Sequence, residues 1–168
     1  NAEHEILIAM YHFTEDSIRD LLLRKAEEFQ QKKRQQDVLG GYNVRSRPGS
    51  GQQHRNYRIR IIADNTMLTN VGSDIKTLAR SYPHIIQCRK DSVPAEMHHK
   101  FAVIDGNGSN GKNSNSIVWN GSLNYTNQGM SKNSENVLGT NHRGVVGQFE
   151  TEFWRMWNEE FSGEENVV

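Results

Sequence analysis

The segment Glu96-Met97-His98-His99-Lys100-Phe101-Ala102-Val103-Ile104-Asp105 sets an imidazole and an ammonium two positions apart at the mouth of an apolar run. Four apolar residues in succession, bounded by polar ones, predict a short buried strand. On a strand, side chains at i and i+2 share a face, so His98 and Lys100 project together: a nucleophile or base beside a fixed cation. His99 then points the other way, as a packing histidine. A second apolar run, Ile117-Val118-Trp119, ends in Gly121-Ser122-Leu123-Asn124, small hydrogen-bonding side chains where a chain can turn and display its N–H groups. A third, Asn136-Val137-Leu138, has Glu135 at its mouth. A carboxylate there can orient an imidazole and stabilise its cationic form. Residues 106–116 between the first two runs are rich in Asn, Gly and Ser, which build loops rather than cores, so this insert is expected on the surface.

The remaining chain supplies the frame. Glu5-Ile-Leu-Ile-Ala-Met10 reads as a buried strand. Thr14 is expected to cap a helix with Glu15 and Asp16 in its first turn. Its apolar positions Ile18, Leu21, Leu22, Ala26 and Phe29 carry it to about Arg34. Residues 35–56 read as a long polar connection, basic together with its flanks: Lys32, Lys33, Arg34, Arg45, Arg47, Arg55, Arg58 and Arg60 face one acid, Asp37. Two readings stand for it, a solvated loop or an arm that tracks phosphates, with Tyr42 and Tyr57 adding base stacking. Residues 57–63 predict a strand, Ser73-Asp74 opens a short helix that stops before Pro83, residues 85–88 form the next strand, and residues 89–92 a polar loop. Residues 142–161 predict an amphipathic helix with Val145, Val146, Phe149, Phe153, Met156 and Trp157 on its core face. The sum is an α/β chain, one mixed β-sheet sandwiched between helices on both faces.

Length and charge narrow the functional classes. A chain of 168 residues suits a single domain, 1–168. Its formal net charge is zero, so an argument for nucleic acid has to be local. One cysteine, Cys88, rules out an internal disulfide framework or a cysteine-rich zinc site and reads as a structural thiol. No apolar stretch approaches a membrane span, and no signal peptide is visible. The sequence starts at Asn1 and enters a strand almost at once. An upstream segment is therefore expected, and membrane association through it remains open.

These residues resemble the phospholipase D superfamily. Its signature, His-x-Lys, four residues, Asp, then Gly-Ser/Gly-x-Asn, reads here as His98-His99-Lys100 to Asp105 and Gly121-Ser122-Leu123-Asn124, with Glu135 at the place of the Glu that follows in the small nucleases. Tyr11-His12-Phe13-Thr14 after the first strand extends the likeness. The resemblance implies the sandwich fold. It also implies a metal-independent phosphodiesterase without cofactor, in which two single-signature chains pair as a symmetric homodimer with their two His98 residues facing each other. One imidazole forms a phosphohistidine; the other protonates the leaving oxygen. Lys100, Ser122 and Asn124 bind the phosphate, Glu135 orients His98, and Gly121 and Asp105 are structural, Asp105 forming a turn ahead of Gly106. The Zucchini-type mitochondrial members resemble the chain most, which implies single-stranded RNA cleavage leaving 5′-phosphates at the mitochondrial outer membrane, or cardiolipin hydrolysis. Bacterial nucleases share the signature, leaving the compartment open between mitochondrial outer membrane, periplasm and cytoplasm. Single-stranded nucleic acid is the favoured partner, with Arg45, Arg47, Arg55 and Arg58 as its candidate contacts. A phospholipid substrate and a catalytically silent nucleic-acid scaffold are the alternatives.

Overall fold

The computed structural model describes residues 2–42, 56–91, 95–106 and 115–160. Six strands form one sheet in the order β3-β2-β1-β4-β5-β6: β1 Glu5–Met10, β2 Arg58–Ala63, β3 Ile86–Lys90, β4 Lys100–Ile104, β5 Ile117–Gly121 and β6 Val137–Thr140. β1, β2 and β3 run parallel, joined through helices α1 (Asp16–Tyr42) and α2 (Ile75–Ser81). β4, β5 and β6 follow as antiparallel neighbours, β4 pairing with β1. Helix α4 (Arg143–Arg155) is the last α-helix of the described residues and widens into a π turn at Met156–Glu160.

The sheet buries both faces over its centre. Leu22, Ala26 and Phe29 of α1 and Ile75 and Leu78 of α2 pack on Ile6, Ile8, Met10, Ile59 and Ile61. Val146, Phe153, Met156 and Trp157 pack on Leu7, Ala9, Ile62, Phe101, Val103 and Val118 from the opposite side. All of β1 is buried, which is why it reads as an unbroken apolar run. The acid at its start, Glu5, is held by Arg58 at 2.8 Å. Cys88 lies inside this core, where burial pushes its thiol up to about 12 and leaves it unreactive.

Four boundaries differ from the sequence expectation. Helix α1 runs on to Tyr42, so residues 35–42 of the predicted connection are helical. Gln, Asp, Val and Leu do not break a helix; the polarity at 35–38 marks largely exposed helical positions, continuing from the paired Lys32 and Glu28 one turn earlier. The helix also starts one residue later than a Thr14 cap implies. The Arg19 N–H donates to the Glu15 carbonyl at 3.1 Å, while the Thr14 N–H is taken by the Tyr125 carbonyl at 2.8 Å. β3 continues through Arg89 and Lys90, placed in a loop by their charge, because the edge strand leaves room for them: Lys90 pairs with Ala63, and Arg89 donates to the Trp157 carbonyl at 2.7 Å. The short helix α3 (Asn127–Ser131) has no apolar period to announce it and rests on its Thr126 cap, whose hydroxyl accepts the Gly129 N–H at 2.9 Å.

Asp105 ends β4 with φ of 48°, a left-handed conformation that Asp tolerates better than most residues. Its carboxylate is fully buried and accepts the N–H groups of Glu3 at 2.7 Å, His4 at 2.9 Å and Glu5 at 3.0 Å. It fastens the start of β1 to the end of β4.

Candidate active site

One end of the sheet gathers the end of β1, the start of β4, the end of β5 and the start of β6. Lys100, first residue of β4, stands opposite Met10. It is 8 % exposed. Its Nζ donates to the His98 carbonyl at 2.9 Å and lies 5.0 Å from the centre of the Tyr11 ring. Burial lowers its pKa, while the fields of Glu135 and Glu96 act in the opposite direction. The His98 ring is exposed to solvent and meets the same Tyr11 ring edge-on, with centroids 4.6 Å apart. His98 and Lys100 thus flank one aromatic surface. His99 turns to the other face, against Phe101 at 5.5 Å and 3.7 Å from Glu152.

The segment ahead of β4 is tied down from two directions. The Tyr11 N–H donates to the His99 carbonyl at 3.0 Å. The Met97 N–H donates to Asp64 Oδ2 at 3.0 Å, and Asp64 Oδ1 accepts the Thr66 and Met67 N–H groups at 2.9 and 3.1 Å. Beside Asp64 sits Asp91, also buried, with the Met97 and Asn65 backbone N–H groups directed at its carboxyl. Burial, and then the Asp64 charge, push its carboxyl up to about 6. Asp64 and Asp91 carry no motif, and Tyr11 stood in the sequence only as part of the Tyr11-His12-Phe13-Thr14 likeness; sequence reasoning gave none of the three a role in the site. A further signal was that Tyr11 and Asp64 each follow an apolar strand directly, where parallel strands deliver residues to a common end.

The β5–β6 connection shows why glycine stands at 121. A Cβ there would lie 1.9 Å from the Asn136 carbonyl oxygen, so only glycine allows the two strands to meet. The Ser122 N–H donates to that same oxygen at 3.0 Å, and the Asn136 N–H returns a bond to Ser122 Oγ at 3.0 Å. The Ser122 hydroxyl donates to Glu135 in a very short contact, and Asn133 Nδ2 donates to the same carboxylate at 3.0 Å. These two bonds, and then the Lys100 charge, hold Glu135 below the usual carboxylate range. Within one chain Glu135 is bonded to Ser122 and Asn133 rather than to His98. Among the described residues Asn124 Oδ1 is buried without a partner. Its loop is anchored to the segment after β1 through a bridge between Phe13 and Tyr125.

Arg58 stands at the other end, paired with Glu5 across the whole six-residue length of β1 from Lys100, roughly 17 Å away. Arg45, Arg47 and Arg55 lie outside the described residues, as does most of the 106–116 insert. Among the described residues no group of three His, Cys, Asp or Glu side chains could hold a metal ion.

Residues 51–157 match the family model described as "Cardiolipin synthase, PLD-like domain". The chain belongs to the phospholipase D superfamily. Among curated proteins it is similar to the mitochondrial cardiolipin hydrolase of Xenopus tropicalis, 38% identical over 62% of this chain and 44% of that protein. It is likewise similar to that of Homo sapiens, 36% identical over 62% and 37%. The matched region thus spans less than half the length of these relatives. Among solved structures, the phospholipase D family member Nuc from Salmonella typhimurium superposes with a TM-score of 0.63 at 22% identity, over 94% of this chain and 80% of that one. NucT from Helicobacter pylori superposes with a TM-score of 0.59 at 19% identity, over 93% and 80%. At these identities the likeness to Nuc and NucT is one of fold.

Proposed function

We propose that this phospholipase D-like domain is a metal-independent phosphodiesterase that works as a symmetric homodimer. The observation that carries the reading is the pairing of His98 and Lys100 on one ring, at the sheet end that also holds Ser122, Asn124 and Glu135. A phosphodiester is anionic, so its attacker needs the charge on the non-bridging oxygens offset. Lys100 is poised for this by its burial, and Asn124 Oδ1 is buried with no polar partner among the described residues.

In the first step a neutral His98 imidazole forms a P–N bond as the bond to the leaving oxygen breaks, and that oxygen takes its proton from a second imidazole. In the second step water attacks phosphorus, the second imidazole takes its proton, and the P–N bond breaks. One chain has one such histidine, so the second imidazole is assigned to a second copy. The surface favours this pairing. On the neighbouring strands β5 and β6, Trp119 is 45% exposed and Val137 and Leu138 are 48% and 65% exposed. Apolar side chains grouped this way mark a contact surface. In such a dimer Glu135 is the group assigned to orient an imidazole.

Single-stranded nucleic acid, RNA above DNA, is the favoured substrate, supported by the small single-signature architecture. Cardiolipin is the second reading, favoured by the name shared by the curated relatives; the same name supports a mitochondrial location. No described helix is long and apolar enough to cross a membrane.

The test is an EDTA-treated assay of wild type beside His98→Asn on end-labelled single-stranded RNA, single-stranded DNA and cardiolipin vesicles. Cleavage of nucleic acid by wild type alone is the expected result. Lipid turnover alone replaces the nuclease reading with a phospholipase, dependence on added metal overturns the two-histidine mechanism, and inactivity on all three leaves a nucleic-acid scaffold.

A further inference from the structure

We infer that Tyr11 is a positioning residue of this site, its ring being the one surface against which both the His98 imidazole and the Lys100 ammonium are set. The inference rests on the phosphodiesterase reading. The His98 ring meets Tyr11 at an interplanar angle of 65° and a centroid distance of 4.6 Å, the edge-to-face arrangement that aromatic pairs favour. Lys100 Nζ lies 5.0 Å from the same centroid, inside cation–π range. No other aromatic ring contacts either side chain among the described residues.

The ring is well placed to act as a rigid wall. Tyr11 directly follows β1, whose six residues are all buried, so its backbone cannot drift. Its N–H is bound to the His99 carbonyl at 3.0 Å, and its hydroxyl donates to Glu96 at 3.1 Å, so it grips the His98 segment on both sides. Burial and the Glu96 carboxylate raise the Tyr11 pKa, which keeps the hydroxyl a donor. Without the ring, an exposed histidine and a flexible lysine each regain rotamers that point away from a shared phosphate. Catalysis that depends on alignment is sensitive to such freedom.

The division of labour within the side chain is testable. The ring does the positioning; the hydroxyl adds a tether that the backbone bond already duplicates. Tyr11→Phe keeps the ring and Tyr11→Leu removes it while filling similar space, with Tyr11→Met as the substitute if the Leu variant does not fold. Turnover is read on bis(p-nitrophenyl) phosphate, a chromogenic diester that is neither lipid nor nucleic acid. The His98 imidazole proton resonances, assigned by their loss in His98→Asn, report the ring current of Tyr11 independently of activity. In Tyr11→Leu, kcat is expected to fall about tenfold or more with KM held within about twofold, and the His98 resonances to move. In Tyr11→Phe, kcat is expected to stay within about threefold of wild type and the resonances to stay in place. Unchanged kcat and resonances in Tyr11→Leu overturn the inference. So does a Tyr11→Phe variant as impaired as Tyr11→Leu, which would give the role to the hydroxyl. A wild type inactive on the diester defeats the phosphodiesterase reading instead, and the resonances alone then decide whether Tyr11 orients His98.

Discussion

β4 begins with a buried cation and ends with a buried anion, and the fold treats the two in opposite ways. Asp105 receives three N–H donors from residues 3–5 and is closed off from solvent. Lys100 has one carbonyl and the face of an aromatic ring, with its nearest opposing carboxylates acting only through space. The same end holds a further group left short of partners among the described residues, the Asn124 amide oxygen. A carboxylate with its hydrogen bonds made has no spare capacity for a ligand. The contrast teaches that the signature's Asp is spent on the fold while its Lys keeps the capacity for a ligand that the proposed function assigns to it, although the sequence presents them as one motif.

The contrast breaks most visibly at Lys100. Lys100→Met keeps the length and apolar stem while deleting the charge. Turnover of a phosphodiester is expected to fall by more than about a thousandfold, with the melting temperature equal to or above that of wild type, since a desolvated charge has been removed. A clear loss of stability would put Lys100 on the structural side of the divide. Asp105→Ala is the mirror experiment. It strands buried N–H groups at the start of β1, so denaturant unfolding is expected to show about 2–4 kcal/mol of destabilisation, while activity per folded molecule persists. Loss of activity in a folded Asp105→Ala protein would dissolve the comparison. Asp91 gives the smallest effect. Its carboxyl pKa is raised to about 6 in the folded chain, above its ordinary value, so the folded state holds its proton more tightly than the unfolded state does. The associated stability is complete below pH ~4 and is lost as pH rises through about 6. Asp91→Asn, fixed in a neutral form, is expected to be more stable than wild type at pH 7 by on the order of 1–2 kcal/mol, the gap closing by pH 4. A gap that does not change with pH would contradict the raised Asp91 pKa.

How much of this was legible in the sequence depends on how local the cause is. β1 and β4 are buried on both faces over most of their length and were read as apolar runs. The grouping of Lys100, Gly121 and Glu135 at one sheet end follows from the order of those runs, which alternating antiparallel neighbours convert into proximity. The far end of α1 was not legible, because a polar exposed helix and a polar loop share a composition and differ only in backbone hydrogen bonds. Tyr11 and Asp64 were invisible as site residues for another reason. Tyr11 meets Glu96 across 85 positions, and Asp64 meets Met97 across 33. No spacing rule links residues that only the pairing of β1 with β4, or of the end of β2 with the segment ahead of β4, brings together.

The clasp around Asp105 has a bearing on handling the protein. Residues 3–5 are gripped at the pole of the sheet farthest from His98, and Ala2, next to them, lies at that pole. A tag, fluorophore or surface linkage attached in front of Ala2 would hold the molecule by its base, with the His98 end turned toward whatever approaches from solution.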